Sequence, residues 1–441
     1  MQTIHSWARS RKMKANSTLL LSIVGLLAAL VLPIQLIGQE GGKGPPRYTV
    51  LDLGTLGGGT HSVAAGVNNS GAVAGFSFLS TGEVHPFFWQ KGVMTDLGAL
   101  GIFAVTGFNG AINERNQITG TYNTGTPDPN GEDFCAFAIG APGTFNICLP
   151  FVWEGDRLVS LPTLGGNNGT AGQVNSRGEI AGAAETLVPD PICSPSGYLQ
   201  VKAVIWRSVN VKELPPLSGD PDANAIAIND GGDAVGASGC VAGNVHAVLW
   251  RKGTPVDLGN LGGVTGNFPF AINNRGQVVG QSDLPGDTIH HAFLWQRGVM
   301  TDLGSLPGLP TSLANDINNR GQVVGFSEDA NADEFPASPW IWQNGVMTDL
   351  NSLIPSDSPW FIHEALGIND RGQIVGHAIN KISGEIHAYL ATPVEGSESI
   401  TPAAKEQPSV RPKPVLTEEA RQMLRRQSGP RLRWPGMRPK G

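Results

Sequence analysis

The sequence predicts an all-β protein, and specifically a seven-bladed β-propeller of four-stranded blades, from three observations. The chain of 441 residues contains 59 glycines, and glycine supplies the positive φ angles of tight turns while it weakens helix interiors. An Ile-Asn or Val-Asn element followed by a glycine turn recurs seven times between residues 67 and 376. The first and last β segments of the repeats are complementary fragments of one unit, so we expect the array to close on itself.

Each repeat contains three short elements in a fixed order. The asparagine element comes first, a segment that ends at Trp in six copies comes second, and a Val-Met-Thr-Asp-Leu segment or a variant of it comes third. The common unit is about 45 residues long, which is the length of one four-stranded propeller blade. Asn-Asn-Arg-Gly and Gln-Arg-Gly segments between the strands are typical of hairpin turns. The repeated asparagines are Asn68, Asn113, Asn175, Asn229, Asn273, Asn318 and Asn369.

The two ends of the array predict how it closes. Val50-Leu51-Asp52-Leu53-Gly54 reads as a fourth strand with nothing before it, and His387-Ala388-Tyr389-Leu390 reads as a third strand with nothing after it. Pairing of the two segments completes one blade and removes two strand edges, which favour aggregation when they are exposed. We therefore predict one propeller over residues 48–391, closed by the N-terminal strand.

The segment before the repeats has the pattern of an export signal. Basic residues up to Lys14 precede an apolar run from Leu19 to Ile37, which is the order found in signal peptides. A retained N-terminal anchor is the alternative, because the run is near the lower limit for a membrane span. Both interpretations of residues 1–38 place the repeats outside the cytoplasm, in the cell envelope or beyond it.

The segment after the repeats, residues 392–441, is rich in proline and arginine, and we expect it to be disordered. One short helix is expected from Thr417 to about Gln427. Its Arg421, Arg425 and Arg426 form a basic group that can contact an anionic polymer or lipid headgroups, although a solvated tail is the preferred interpretation.

Charge is distributed unevenly along the chain. The formal net charge is −7, while both ends are basic, so the acidic excess lies in the repeats. An acidic body argues against nucleic-acid binding. We expect a monomer that contacts a membrane only through a retained N-terminal segment.

Four cysteines, Cys135, Cys148, Cys193 and Cys240, form an even number, which an exported chain can use for disulfides. They fall in the longer connections, away from the periodic strands. We favour the pairs Cys135–Cys148 and Cys193–Cys240, although four cysteines allow three pairings. The spacing matches no zinc signature.

The element before each Trp resembles the repeat of the HAF family of extracellular repeat proteins, named for a His-Ala-Phe element. That element is intact at His291-Ala292-Phe293, with near matches at residues 246–248 and 387–389. The resemblance covers residues 48–391 and implies export and a β-repeat architecture, with no established activity. The second and third units have lost the histidine, so any binding role of this histidine is absent from them.

The repeated aromatic and polar residues favour structural roles. A tryptophan at a strand end buries a large apolar area between blades, and we prefer this role to a series of sugar-stacking platforms. We expect each repeated asparagine to satisfy backbone groups of the turn that follows it, rather than to line a channel. Histidines at equivalent positions of different blades are too far apart to share a metal ion. The tryptophans are Trp89, Trp153, Trp206, Trp250, Trp295 and Trp342, and the histidines are His85, His246, His291 and His387.

Two acidic segments, residues 128–133 and 220–224, carry oxygen ligands at alternate positions. Calcium loops share this feature, but neither segment supplies a bidentate glutamate at the usual distance. We therefore expect solvated turns.

No linear signature of catalysis, such as a Gly-x-Ser-x-Gly elbow, a phosphate loop or a dinucleotide fingerprint, occurs in the chain. We expect no catalytic, cofactor-binding or metal-binding residues and no cofactor. The preferred function is a non-enzymatic binding or scaffold propeller, whose unidentified carbohydrate or protein ligand is held by the insertions at residues 121–148 and 183–200.

Two other functions stay open. The chain is alternatively a carbohydrate-active hydrolase or lyase with carboxylates at one mouth of the propeller, for which Asp316 and Glu364 are the nearest acids. A surface structural protein without a ligand is the third possibility, because several units are nearly identical.

Overall fold

The computed structural model describes residues 46–394, except residues 99, 102, 107–110, 140–142, 194–197, 241–243 and 330–336. The export signal at residues 1–38 and the helix expected at Thr417–Gln427 lie outside the described residues, so both stay predictions. Within the described part of the chain, no helix combines the length and apolarity that a membrane crossing requires.

Short antiparallel strands account for most of the described residues. The first units contain β1 (Tyr48–Gly54), β2 (His61–Val67), β3 (Val73–Phe78), β4 (Val84–Gln90), β5 (Val93–Asp96), β6 (Phe103–Thr106), β7 (Ile118–Pro127), β8 (Asn146–Glu154) and β9 (Arg157–Ser160). The middle units contain β10 (Gly169–Val174), β11 (Glu179–Pro189), β12 (Leu199–Arg207), β13 (Asn210–Leu214), β14 (Ala223–Ile228), β15 (Ala234–Gly239), β16 (Val245–Arg251) and β17 (Thr254–Asp257). The last units contain β18 (Asn267–Ile272), β19 (Val278–Asp283), β20 (His290–Gln296), β21 (Val299–Gly304), β22 (Thr311–Ile317), β23 (Val323–Glu328), β24 (Ser338–Gln343), β25 (Val346–Asp349), β26 (Trp360–Ile368), β27 (Ile374–Asn380) and β28 (Ile386–Pro393).

Strand pairing follows the sequence repeats. Five sheets each contain four consecutive strands, in the orders β6-β7-β8-β9, β10-β11-β12-β13, β14-β15-β16-β17, β18-β19-β20-β21 and β22-β23-β24-β25. The sixth sheet has eight strands, because β2-β3-β4-β5 is joined to β26-β27-β28 and β1 through one parallel pair, His61 with Ile386. The predicted all-β class and the four-stranded repeat are thereby confirmed.

The first strand of the body pairs with the last one. β1 runs antiparallel to β28, from Tyr48 opposite Pro393 to Asp52 opposite Tyr389. In the repeat of β18–β21, Asp302 lies opposite Phe293 in the same relationship between fourth and third strands. The segment around Leu51 and the segment around Tyr389 therefore share a sheet, as the complementary sequences predicted.

The repeated tryptophans are core residues. Trp206 and Trp250 are fully buried, and their indole N–H groups donate to the carbonyls of Pro162 (2.8 Å) and Pro215 (2.7 Å). Trp89 and Trp295 are also buried, and Trp153 and Trp342 are half-buried. A packing role between sheets agrees with this burial, and a series of exposed sugar platforms does not.

The glycine of the second strand is needed because the backbone of the first strand lies against it. A Cβ atom on Gly280 would lie 2.0 Å from the carbonyl oxygen of Phe268, and one on Gly325 would lie 2.0 Å from that of Leu313. These distances are below van der Waals contact, so a side chain at either position would push the two strands apart. The recurrence of glycine in the Val-Val-Gly element follows from this contact.

The two insertions, which the sequence predicts to hold the ligand, begin as extended hairpins. β7 continues to Pro127 and β11 to Pro189, and β8 and β12 are lengthened to match. The sequence predicted no helix between Pro45 and Thr392, but one short helix, α1 (Phe134–Ile139), lies in the first insertion, and a 3₁₀ turn covers Leu350–Ser352.

Both favoured disulfides are present. Cys135 pairs with Cys148 and Cys193 pairs with Cys240, with Cα separations of 5.4 and 5.5 Å. Cys148 lies within β8, so the expectation that all four cysteines avoid the strands is wrong. The reason is the lengthening of β8 into the insertion.

Candidate functional site

A closed cycle of hydrogen bonds connects the repeated asparagines. In each unit the asparagine Oδ1 accepts the N–H of the residue four positions later, as Asn273 does from Gln277 (3.0 Å). Its Nδ2 donates to the backbone carbonyl of the asparagine in the next unit, as from Asn273 to Asn318 (3.0 Å). Seven such bonds of 2.9 to 3.2 Å exist, and the last runs from Asn369 back to Asn68. The expected role in the turn is confirmed, and the bond between units is an addition to it.

A second set of hydrogen bonds lies beside the first. In six of the seven units, the residue after the asparagine donates its N–H to a side-chain oxygen at the same position of the next unit, as Asp230 does to Asn274 (2.9 Å) and Asn319 does to Asp370 (2.7 Å). The carboxylate of Asp370 also accepts from the side-chain amide of Asn319 (2.9 Å). The turns of neighbouring units are thus connected through both backbone and side chains.

These turns enclose a cavity of about 130 Å³. The repeated asparagines and the residues beside them line it, and Glu114, Asp230 and Asp370 add carboxylates to the wall. The asparagines therefore line a cavity as well as support their turns, although only the second role was preferred from the sequence. Each of these side-chain amides is held by the backbone carbonyl of the next unit, and the wall of the cavity is polar and acidic.

Asp316, one of the two acids considered for catalysis, lies in the wall of this cavity and holds two strands together. Its carboxylate accepts the N–H groups of Ile317 and Ile368, both at 2.8 Å. Burial raises the pKa of Asp316 to about 6 even though both bonds favour the charged form. Gln173 makes the equivalent bond to the N–H of Ile228 (3.2 Å), so this position has a structural role that does not require an acid.

Glu364, the second acid, belongs to a different environment. It is buried in β26 and is not among the residues that line the cavity. His363 and His377 lie beside it, with 3.0 Å between His363 Nδ1 and His377 Nε2. The structure therefore does not bring Asp316 and Glu364 together at one mouth. Sequence reasoning overlooked both histidines, because neither occupies a repeated histidine position.

The four repeated histidines each bond to an aspartate of their own. His291 Nδ1 lies 3.0 Å from Asp302, and His387 Nδ1 lies 2.9 Å from Asp52. His85 makes the same contact with Asp96, and His246 contacts Asp220 instead. Each contact in the first three cases joins a third strand to a fourth strand, so the histidine of the His-Ala-Phe element has a local structural partner.

Buried carboxylates support the two insertions, and the expectation of solvated turns at residues 128–133 is wrong for Asp128 and Glu132. The side-chain amide of Asn168 donates to Asp128 (2.8 Å) and to Glu185 (3.2 Å). The Glu132 carboxylate accepts the N–H of Leu199 (3.0 Å). These residues are buried because the first insertion packs against the second, which local sequence does not reveal.

The proximity of these acids alters their protonation. Burial raises the pKa of Glu132 far above its usual value, and the neighbouring Glu185 raises it further. Burial likewise raises the pKa of Glu185. The pair therefore retains a proton at a pH at which exposed carboxyl groups have lost theirs.

A second carboxyl pair lies at the base of the other disulfide. Asp190 accepts the N–H groups of Ile192 and Cys193, both at 3.0 Å, and Asp222 accepts that of Val201 at 3.0 Å. Burial, with Asp190 as the next cause, raises the pKa of Asp222 to about 8. Asp222 is therefore not in a solvated turn either. The sulfur of Cys193 is adjacent to this pair, but it is in a disulfide and is not available as a thiolate ligand.

Large apolar side chains are exposed on the same two insertions. Phe145, Leu187, Val188 and Ile192 expose 50%, 73%, 52% and 61% of their surface, respectively. Leu187 and Val188 lie in the extended end of β11, and Phe145 and Ile192 lie in the segments that connect the second and third strands of two consecutive units. The insertions therefore combine a base that disulfides and buried hydrogen bonds hold in place with an exposed apolar surface.

No protein-family model matches the chain, and no curated protein matches it either, so the HAF resemblance stays an expectation. Among solved structures, the chain is similar to the β-propeller domain of the Trilobed protease from Pyrococcus furiosus, with 10% identity and a TM-score of 0.40 over 64% of this chain and 79% of that chain. A puromycin hydrolase is 12% identical with a TM-score of 0.45, over 81% of this chain and 56% of that chain, so this chain matches just over half of that protein. The Aleuria aurantia lectin is 12% identical with a TM-score of 0.34, over 66% and 96%.

Proposed function

We propose that the chain is a seven-bladed β-propeller that serves as a non-enzymatic binding or scaffold protein of the cell envelope. The asparagine hydrogen bonds that return from Asn369 to Asn68 and the pairing of β1 with β28 support the blade count and the closure. Residues 48–391 form this domain, between the export signal or anchor and the basic tail. The two disulfides are compatible with an oxidising compartment.

The ligand is held at the insertion face, which we define as Phe145, Leu187, Val188 and Ile192. The observation that carries this assignment is the exposure of these four side chains on a base braced by two disulfides and buried hydrogen bonds. Apolar surface gains free energy when a partner removes it from water. A base that is already ordered reduces the entropy lost on binding.

A protein ligand fits this face better than a carbohydrate does. Phe145 is the one aromatic residue of the insertion face, and the repeated tryptophans are packed between sheets. The face thus offers aliphatic contact area, which suits the apolar side chains of a protein partner.

The alternative function, a carbohydrate-active hydrolase or lyase, has less support. Asp316 uses its carboxylate for two backbone N–H groups, and Glu364 is buried outside the cavity that Asp316 lines. Glycoside hydrolysis requires two carboxyl groups on either side of one bond, and these two acids do not have that arrangement.

The proposal is tested by binding measurements on matched variants. A partner captured from the envelope fraction is purified and titrated against the wild-type chain and a Leu187→Asp/Ile192→Asp variant, with a glycan array run in parallel. We expect the variant to weaken binding by roughly tenfold or more. The control is Val299→Asp, which changes an equally exposed apolar residue. Val299 lies at the hairpin between the third and fourth strands of its unit, whereas the insertions connect second and third strands.

Three outcomes contradict the proposal. Equal weakening by the control would remove the insertion face from the binding site. Glycan binding that the Leu187→Asp/Ile192→Asp variant leaves unchanged would place the ligand elsewhere. Release of sugar fragments that Asp316→Asn or Glu364→Gln abolishes would establish the hydrolase instead.

A further inference from the structure

Three ionisable side chains meet inside the last unit, away from the insertion face. His363 Nδ1 lies 3.0 Å from His377 Nε2 and 3.8 Å from Glu364 Oε1. One nitrogen or oxygen atom from each side chain lies within 4.8 Å of the other two. Their exposed fractions are 3%, 1% and 0% for His363, Glu364 and His377. Two imidazoles and a carboxylate therefore converge in a site that solvent does not reach.

A β-bulge brings the three side chains together. Successive residues of a regular strand point to opposite faces, so the neighbours His363 and Glu364 would not both approach His377. In β26, Ile362 lies opposite Ala378 and Glu364 lies opposite His377, with His363 as an extra residue between them. A bulge of this kind re-aims a side chain, and bulges are frequent beside functional sites.

The corresponding strands of the first unit lack the extra residue. In β2 and β3, Ser62 lies opposite Ser77 and the next residue, Val63, lies opposite Phe76 without an interruption. Both strand pairs have the later register shift, at Ala64/Gly66 and at Ala365/Gly367. The bulge at His363 is thus an addition to the repeat and not part of its common geometry.

The chemistry of the position also departs from the repeat. The residues that correspond to Glu364 and His377 are Leu313 and Phe326 in the unit of β22–β25. Exchange of a packed apolar pair for ionisable groups is costly in a buried site unless the charges are paired or bind a metal. The last unit has two ionisable side chains at this position, Glu364 and His377, and the bulge adds a third, His363.

We propose that His363, Glu364 and His377 bind one divalent transition-metal ion, of which zinc is the representative. Imidazole nitrogen and carboxylate oxygen are zinc ligands, whereas calcium and magnesium prefer sites built from oxygen alone. Two nitrogens bound to one tetrahedral zinc ion are separated by roughly 3.3 Å, so the two histidines need to move apart by only a few tenths of an ångström. The fourth position of the ion takes a water molecule.

The ion has a structural role. All three ligands are buried. They belong to β26 and β27, and β27 pairs with β28, the strand that receives β1. A metal that binds the folded chain more tightly than the unfolded chain raises the stability of that unit. This site is independent of the proposed ligand-binding function. Neither the insertion face nor the cavity that the repeated asparagines line contributes a residue to it.

Metal content of the purified full chain tests the site. The chain is produced without a histidine tag, incubated with excess zinc chloride, separated from free metal by gel filtration and analysed by mass spectrometry for metals. We expect about one zinc ion per chain, and a Co²⁺-substituted sample should show the visible absorption of tetrahedral cobalt. The zinc-loaded chain should also unfold at a higher temperature than a chain treated with a chelator.

Two variants separate binding from folding. Glu364→Leu/His377→Phe restores the apolar pair that the unit of β22–β25 has at this position, so it should fold and lose the metal. The matched control is His290→Gln, which alters a half-buried histidine outside the cluster and should keep the full metal content.

The proposal is overturned if the folded wild-type chain retains less than about a tenth of an equivalent of zinc. It is equally overturned if Glu364→Leu/His377→Phe retains as much zinc as the wild type, because adventitious surface binding then explains the signal. Preferential retention of calcium over zinc would also contradict it, since that selectivity requires an oxygen site.

Discussion

The side-chain amide of Asn369 donates a 2.9 Å hydrogen bond to the backbone carbonyl of Asn68, which precedes it by 301 residues. Asn68 donates the equivalent bond to the carbonyl of Asn113 (3.0 Å). Each repeated asparagine therefore stabilises its own turn and the turn of the next unit. Loss of one of these side chains disturbs two units at once, which makes the cycle a sensitive test of the fold.

Replacement of Asn369 by alanine removes four hydrogen bonds, one to the next unit and three within its own turn. The side chain donates to Asn68 and Gln373 and accepts the N–H groups of Arg371 and Gln373. Since buried N–H groups lose their acceptor, we expect the free energy of unfolding to fall by about 2–4 kcal/mol, measured by urea denaturation. Asn274→Ala, at an exposed position in an equivalent turn, should cost less than about 1 kcal/mol. Equal losses in the two variants would argue against a special role of the cycle.

A cross-link between β1 and β28 tests the closure of the propeller. Thr49 lies directly opposite Thr392, so Thr49→Cys/Thr392→Cys should form a disulfide in the folded chain. Because the new loop spans 343 residues, we expect a gain of about 3–5 kcal/mol in the free energy of unfolding. Mass analysis with and without reductant detects the bond. Leu51→Cys/Thr392→Cys is out of register and should not cross-link, and efficient cross-linking there would refute the pairing.

Stability should decrease as pH rises from about 5 to 8. The pKa of Glu132 is raised in the folded chain by burial and by Glu185, and burial also raises the pKa of Asp222 to about 8. The folded chain therefore binds more protons than the unfolded chain above the usual carboxyl pKa, and the free energy of unfolding falls with pH until the folded pKa is passed. Thermal unfolding at pH 5, 6.5 and 8 measures the slope.

Glu132→Gln should make that slope shallower. The side-chain oxygen of glutamine can still accept the Leu199 N–H, and the amide has no titrating proton. The variant should therefore gain stability relative to the wild type as pH rises from 5 to 8. Glu213→Gln, at an exposed carboxylate, should leave the slope unchanged. A Glu132→Gln slope equal to that of the wild type would exclude Glu132 as a source of the effect.

The two disulfides should contribute unequally. Cys193–Cys240 closes a segment with a sequence separation of 47, whereas the separation for Cys135–Cys148 is 13. Because a longer closed loop restricts the unfolded chain more, we expect a loss of roughly 4 kcal/mol for Cys193→Ser/Cys240→Ser and roughly 3 kcal/mol for Cys135→Ser/Cys148→Ser. Denaturant titrations of both variants compare the losses. A larger loss for the shorter loop would show that packing in the first insertion outweighs loop entropy.

Local features of the sequence predicted most strands and turns correctly. The asparagine and glycine of each turn act on backbone groups within four residues, so their roles are visible in one repeat. The favoured cysteine pairs were also correct. The extension of the strands into the insertions was not predicted, because the continuation of β7 and β11 depends on pairing with β8 and β12 beyond the common unit.

The polar segment at Asp128 and Glu132 shows where local reasoning fails. Its composition is that of a solvated turn, but Asn168 and Leu199, which are distant in the chain, provide its hydrogen-bond partners. The convergence of His363 with His377 depends in the same way on one extra residue in a strand register. Neither contact leaves a periodic signal, since each occurs in a single unit.

The sequence by itself determined the β class, the repeat unit and the complementary end segments, because strand alternation, turn residues and self-similarity are properties of short stretches of chain. Tertiary structure decided which side chains meet across units: the asparagine cycle, the buried acids below the insertion face, and the cluster in the last unit. Those encounters are set by the spacing and register of strands that are far apart in the chain. A difference of one residue in register changes the face to which a side chain points.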